Sequence, residues 1–114
     1  MNKDDARLID MLISANKIRA FITSISEASY LKSELLQSAI ERQIFILGEA
    51  ANAVTQETRD KHPQIAWRSM IGMRNILAHQ YGDVDQQIVW TTASQDVPAL
   101  ADYLKSISVP ESHT

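Results

Sequence analysis

An all-α fold, an up-and-down bundle of four main helices with one or two short extra turns, is predicted by three features of this sequence. Apolar residues recur at spacings of three and four through four separate stretches, the period of one helix face. Only three glycines and three prolines interrupt the 114 residues, too few to punctuate a series of short strands. No segment alternates apolar and polar residues as a half-buried strand does. A helix with one apolar stripe must bury it against a neighbour, and a bundle is the simplest way to do so.

The first helix is expected from about Asp4 to Ile25, where Leu8, Met11, Leu12, Ala15, Ile18, Ile22 and Ile25 keep the helical period. Asp4 and Asp5 fall in its first turn, where negative charge suits the helix dipole. Ser26 to Tyr30 reads as a break or a short turn. A second helix is expected from about Leu31 to Val54, with Leu36, Ile40, Ile44, Leu47, Ala51 and Val54 on one stripe. Beside it runs a second stripe of Leu35, Ala39, Arg42, Ile46, Glu49 and Ala53. Gln56 to His62 is polar and reads as a loop or one short turn. His62 precedes Pro63 and is therefore expected to be extended.

The third helix is expected from about Ile65 to Ala78 or His79, closed by the Gly82-Asp83 turn. Asp85 is the N-cap candidate of the fourth, with Val84 and Val89 at the two positions of a hydrophobic staple. Trp90, Ala93, Val97, Leu100, Leu104 and Ile107 continue that helix, and Pro98 should kink it or open one of its hydrogen bonds. The domain is expected over residues 1–108, with a frayed tail over 109–114.

Apolar residues make up 45% and charged residues 22%, the proportions of a soluble globular chain. No apolar run is long enough to span a membrane, and the N-terminal residues lack the layout of a signal peptide. Without cysteine, disulfides, thiolate metal sites and cysteine nucleophiles are excluded, and the cytoplasm is the expected compartment. A net charge of −3 argues against broad nucleic-acid binding, which rests on a basic surface. Chemistry on RNA would need a focused cluster, which dimerisation would duplicate.

One such cluster stands out. Met73 to Tyr81 places Arg74, Asn75, His79 and Tyr81 within a short piece of helix. Arginine offers a permanent cation with a planar fork suited to phosphate oxygens, and histidine titrates near neutral pH. At about 100° per residue, Trp67, Met70, Ile71, Leu77, Ala78 and Tyr81 share an arc with Arg74 in its middle. A charge inside an apolar stripe is costly unless it is paired or meets a ligand. Asn75 and His79 lie one turn apart on nearly the same side, whereas Arg74 and His79 are about 140° apart. Either the helix loosens near Ala78, or two copies of the segment meet across a two-fold axis and line a shared cleft.

A structural role is the alternative for each residue: His79 as a dipole partner, Arg74 as a packing arginine, Tyr81 at a core edge. Arg42 and Glu49, two turns apart on one face, read as a solvated flank or an ion pair, or as a pair that orients an arginine on a neighbouring helix. His62, His79 and His113 lack ligand spacing, so no metal site is expected. No glycine-rich phosphate loop is present, so this chain should not itself bind ATP in that manner, and no cofactor is expected.

Arg74, Asn75, His79 and Tyr81 together spell Arg-Asn-x3-His-x-Tyr. This resembles the motif of the HEPN superfamily, specifically the HepT-like RNase toxins of prokaryotic toxin–antitoxin modules. Ile46-Leu47-Gly48-Glu49-Ala50, Trp67-Arg68, Ile71-Gly72-Met73-Arg74-Asn75, and Val84-Asp85 with Val89-Trp90 resemble that family in the same order. The resemblance spans roughly Asp4 to Ile107. Two departures stand out: Ala66 replaces the proline of an Ile-Pro-Trp entry, and Gly82-Asp83 follow Tyr81 where an aromatic residue usually precedes glycine.

The resemblance implies a metal-independent endoribonuclease, acting on RNA as a homodimer with its active sites at the subunit interface. Its chemistry would be attack of a 2′-hydroxyl on the adjacent phosphate, with Arg74 and His79 catalytic and Asn75 in support; Glu49 and Arg42, from their shared helix face, are the further supporting candidates. It also implies a type VII-like arrangement, in which a minimal, MntA-like nucleotidyltransferase antitoxin transfers AMP from ATP onto Tyr81. The competing expectation is a non-catalytic helical dimer that holds nucleotide or RNA and docks such a partner.

Overall fold

The computed structural model describes residues 2–79 and 82–107, which are helical with no strand among them. The elements are α1 (Lys3–Ile22), α2 (Glu27–Leu31), α3 (Glu34–Ala53), α4 (Gln56–Lys61), α5 (Trp67–His79), α6 (Gln86–Thr91), a π-helical turn (Thr92–Asp96) and α7 (Val97–Ser106). The last three form one irregular rod, so four rods make the bundle and α2 and α4 are the short additions. α1 packs on α3 and α7, and α5 packs chiefly on α3. Among the described residues no helix is long and apolar enough to cross a membrane. The tail from 109 and Tyr81 lie outside the described residues.

Side-chain caps account for most helix starts. Asn2, Ser26, Ser33, Thr55 and Asp85 each accept a hydrogen bond from a backbone N–H in the first turn that follows, satisfying donors the helix itself leaves free. The cap at Ser33 explains why α3 begins at Glu34 rather than Leu31. Asp4 also binds the Thr55 backbone N–H and the hydroxyls of Thr55 and Thr58. These bonds hold its carboxyl below the usual aspartate range and tie the start of α1 to α4.

The core lies between α1, α3 and the final rod. Met11, Ala15 and Ile18 meet Ile40, Ile44, Leu47 and Ala51 of α3 and Val89, Ala93, Val97, Leu100 and Leu104 of the last rod. A fully buried side chain of this size contributes about 1.5–3 kcal/mol. Tyr30 brings α2 into the same core and is fully buried. Its hydroxyl donates to Gln86 Oε1 at 2.5 Å, and Gln86 Nε2 donates to Glu41. Burial pushes the Tyr30 phenol pKa upward, as expected for an acid whose charged form has lost its water. Pro98 has no N–H to give, and the π turn ends two residues before it, a local opening of the hydrogen-bond ladder of the kind expected there.

Candidate active site

Two residues of α3 set the geometry of the site. Gly48 is buried, and a Cβ added there would lie 2.3 Å from Arg74 Cβ and 2.9 Å from the Met70 carbonyl oxygen. Glycine is therefore required for α5 to approach α3 as closely as it does at Met70 and Arg74. The next residue, Glu49, accepts a hydrogen bond from Arg74 Nε and forms an ion pair with it. Arg74 Nη1 donates to Asn75 Oδ1 at 2.9 Å, and the guanidinium carbon stands 5.5 Å from the centre of the Phe45 ring. A carboxylate, an amide and an aromatic face thus fix one cation.

Arg74 does not occupy the middle of the apolar arc. Met73, left out of that arc, is buried together with Trp67 and Leu77, while Met70, Ile71 and Ala78 are only half-buried. The deep face of α5 is centred near Met73 and Leu77, which moves Arg74 to its margin. Its side chain keeps 26% of its exposure, and that of Glu49 keeps 46%. The charge therefore avoids full desolvation and remains open to a ligand.

His79 is the last residue of α5 and is exposed. The helix does not loosen at Ala78, so the angle of about 140° between Arg74 and His79 holds. Asn75 spans part of that gap, because it accepts from Arg74 and lies one turn before His79 on nearly the same side. Arg42 is exposed and forms no ion pair or hydrogen bond among the described residues. Glu49 thus turns to Arg74 on the neighbouring helix rather than to Arg42 on its own. No group of three or more His, Cys, Asp or Glu side chains is placed to hold a metal among the described residues.

Two features had little signal in the sequence. Glycines at 48 and 72 look alike there, and only the packed helices show that the first is a contact point. The start of α5 lacks the expected proline, and Ala66 is exposed with its carbonyl accepting from Met70 N at 3.1 Å. Trp67 anchors that end instead, donating from Nε1 to the His62 carbonyl at 3.0 Å, with the Arg59 guanidinium 5.9 Å from its ring centre.

The bundle carries an arginine–carboxylate pair between α5 and α3 and a histidine at the end of α5, and the chain belongs to the HepT-like ribonuclease family. The family model described as Ribonuclease HepT-like matches residues 11–107. Among similar proteins, an inferred RNase of Methanocaldococcus jannaschii is 33% identical over 102 residues, covering 88% of this chain and 94% of that protein. An inferred RNase of Caldanaerobacter subterraneus is 34% identical over 86 residues, covering 75% of this chain and 77% of that one. An inferred ribonuclease HepT of Thermococcus cleftensis is 33% identical over 93 residues, covering 82% and 84%. No solved structure matches the chain at a significant level.

Proposed function

We propose that this protein is a metal-independent endoribonuclease that works as a homodimer, with Arg74 and His79 as its catalytic residues. The observation that carries the reading is the held arginine: Glu49 and Asn75 orient its fork at the margin of α5, on the helix that ends in His79. The 2′-hydroxyl of the substrate gives up its proton to His79 and its oxygen bonds to the adjacent phosphorus. The bond from phosphorus to the 5′-oxygen breaks, and that oxygen leaves as a hydroxyl, taking a proton from solvent while His79 returns its own to solvent. No water is consumed, and the products are a 2′,3′-cyclic phosphate and a free 5′-hydroxyl. Arg74 stabilises the negative charge that builds on the phosphoryl oxygens, a task a bound cation serves in other nucleases.

The angle between the two side chains supports a dimer. A single straight helix does not turn Arg74 and His79 onto one phosphate, whereas two copies related by a two-fold axis bring both residue types into one cleft. Ile76, exposed on the same helix, and Leu35, 81% exposed on α3, are apolar side chains suited to such a contact.

The test is cleavage of RNA by the purified chain, made without any partner, in the presence of EDTA. Cutting that leaves cyclic-phosphate ends supports the reading. Failure to cut mRNA, tRNA and rRNA, by protein whose Tyr81 is verified as unmodified, overturns it in favour of a non-catalytic binding dimer.

Control by a partner is the second half of the proposal. Tyr81 is two residues beyond His79, so AMP groups placed on its hydroxyl by a nucleotidyltransferase antitoxin using ATP would bring bulk and negative charge to the place where the RNA phosphate sits. Mass spectrometry of the chain after co-expression with that partner should show Tyr81 heavier by one or more AMP units. A neutralised complex with Tyr81 unmodified would refute this mode of control.

A further inference from the structure

We propose that the outer face of α5, from Arg68 through Gly72 and Asn75 to His79, is a track that seats single-stranded RNA on its way to the catalytic arginine. The inference rests on the ribonuclease reading above. At about 100° per residue these four positions fall within about 60° of one another, on the side of α5 turned away from Met73 and Leu77. Arg68, Asn75 and His79 are exposed and Gly72 is half-buried. With about 1.5 Å of rise per residue the face is about 16 Å long, room for about three to five nucleotides at a stacked rise of about 3.4 Å.

Gly72 is the strongest sign of a ligand. Glycine is a poor helix former, so one in the middle of a helix needs a reason. Gly48 has one in Arg74, but a Cβ added at Gly72 meets nothing within 4 Å. The missing side chain serves no packing among the described residues. A bare stretch of helix backbone does allow a sugar-phosphate strand to lie close, and a side chain would hold it off.

Arg68 supplies the matching charge. It forms no ion pair or hydrogen bond among the described residues, and it lines a groove of about 1040 Å³ that also reaches Gly72 and Asn75. The other arginine of that groove, Arg59, is already committed, since it donates to the carbonyls of Val54, Ala51 and Asn52. The groove's carboxylate, Asp60, accepts from Gln56 at 2.8 Å. Arg68 is therefore its available cation, and an arginine two turns from Asn75, about 10 Å along the helix, is placed to hold a phosphate about three nucleotides from the one being cut. Attraction confined to one stripe also reconciles RNA binding with a net charge of −3.

The experiment measures binding of a fluorescent single-stranded RNA, 2′-O-methylated at every position so that it cannot be cleaved, alongside cleavage of ordinary RNA. Arg68→Gln should weaken binding by about 5–10-fold and flatten the dependence of log affinity on log salt by about 0.7, the change for one lost phosphate contact on a single strand. Gly72→Ala should raise the melting temperature, because alanine is the better helix former, yet weaken binding by about tenfold or more. Both variants should raise KM more than they lower kcat. If the wild type cuts RNA while both variants bind and cut as it does, the track is wrong and the ribonuclease reading stands. A Gly72→Ala protein that turns monomeric would assign this face to contact between copies and overturn the RNA track. Wild-type protein that neither binds nor cuts RNA would remove both readings together.

Discussion

Replacing His79 by alanine should lower the single-turnover rate of RNA cleavage by about 10²–10⁴-fold, the usual worth of a positioned proton-transfer group. Folding should hardly change. His79 is exposed at the end of α5, and substitutions at such positions generally stay within about 0.5 kcal/mol. Arg74→Ala should cost about 10²–10³-fold in rate with a visible loss of stability as well, because it strips the partner from Glu49 and the packing from Phe45 and Gly48. Arg74→Lys is the more informative companion. It keeps the charge but loses the planar fork that reaches Glu49 and Asn75 together, so most of the rate should remain lost. Rates measured beside melting temperatures separate the roles. A His79→Ala enzyme that keeps more than a tenth of the wild-type rate would remove that residue from the chemistry.

Gly48→Ala should be the most disruptive small substitution in the protein. The new methyl would sit where Arg74 Cβ and the Met70 carbonyl already are, one a side-chain root and the other backbone, so neither can swing aside. Forcing extra volume into a packed contact costs about 1–3 kcal/mol, while alanine returns up to about 1 kcal/mol of helix propensity. A net loss of about 1–2 kcal/mol corresponds to a drop in melting temperature on the order of 5–15 °C for a domain of this size. Activity should fall further than stability does, because the displaced helix carries Arg74 away from Glu49. Thermal unfolding together with cleavage checks both statements. A variant that melts at or above the wild-type temperature would show that the helices do not approach as closely as described. The same replacement at Gly72 is expected to have the opposite sign on stability.

The two glycines also show how far the sequence could be read. Their letters are the same, and periodicity places residues on faces without saying what stands opposite. The four rods were legible because Met11, Ile18, Ile40, Ile44, Leu47, Trp67, Leu77 and Leu104 keep the helical period and are all buried. The helix over Glu27–Leu31 was less legible, since five residues carry too little periodicity and Tyr30 is held by Gln86, a residue far along the chain. Gln56–Lys61 forms a helix without burying any residue, so it too left no apolar pattern, and its start is secured by Asp4. Pro98 predicted an opened hydrogen bond but not its form as a π turn. At the site, Arg74, Asn75 and His79 were visible as chemistry on one helix. The partnership of Glu49 with Arg74 depends on the close approach at Gly48, which single-helix geometry does not contain, and Arg42 was grouped with Glu49 for the same reason.

The helix that carries Arg74 and His79 is supported unevenly. On one side it is pressed against α3, and on the other, toward α7, lies a hollow of about 210 Å³ walled by Met70, Met73, Val97, Leu100 and Tyr103. A hollow gives the side chains along it fewer partners for dispersion attraction. Local opening draws on the regions with the fewest packed neighbours, and α5 meets the rest of the bundle chiefly through α3. The proposed catalytic side chains thus ride on an element whose hold on the bundle is concentrated at one seam, and a change there is expected to alter the site before it alters the fold.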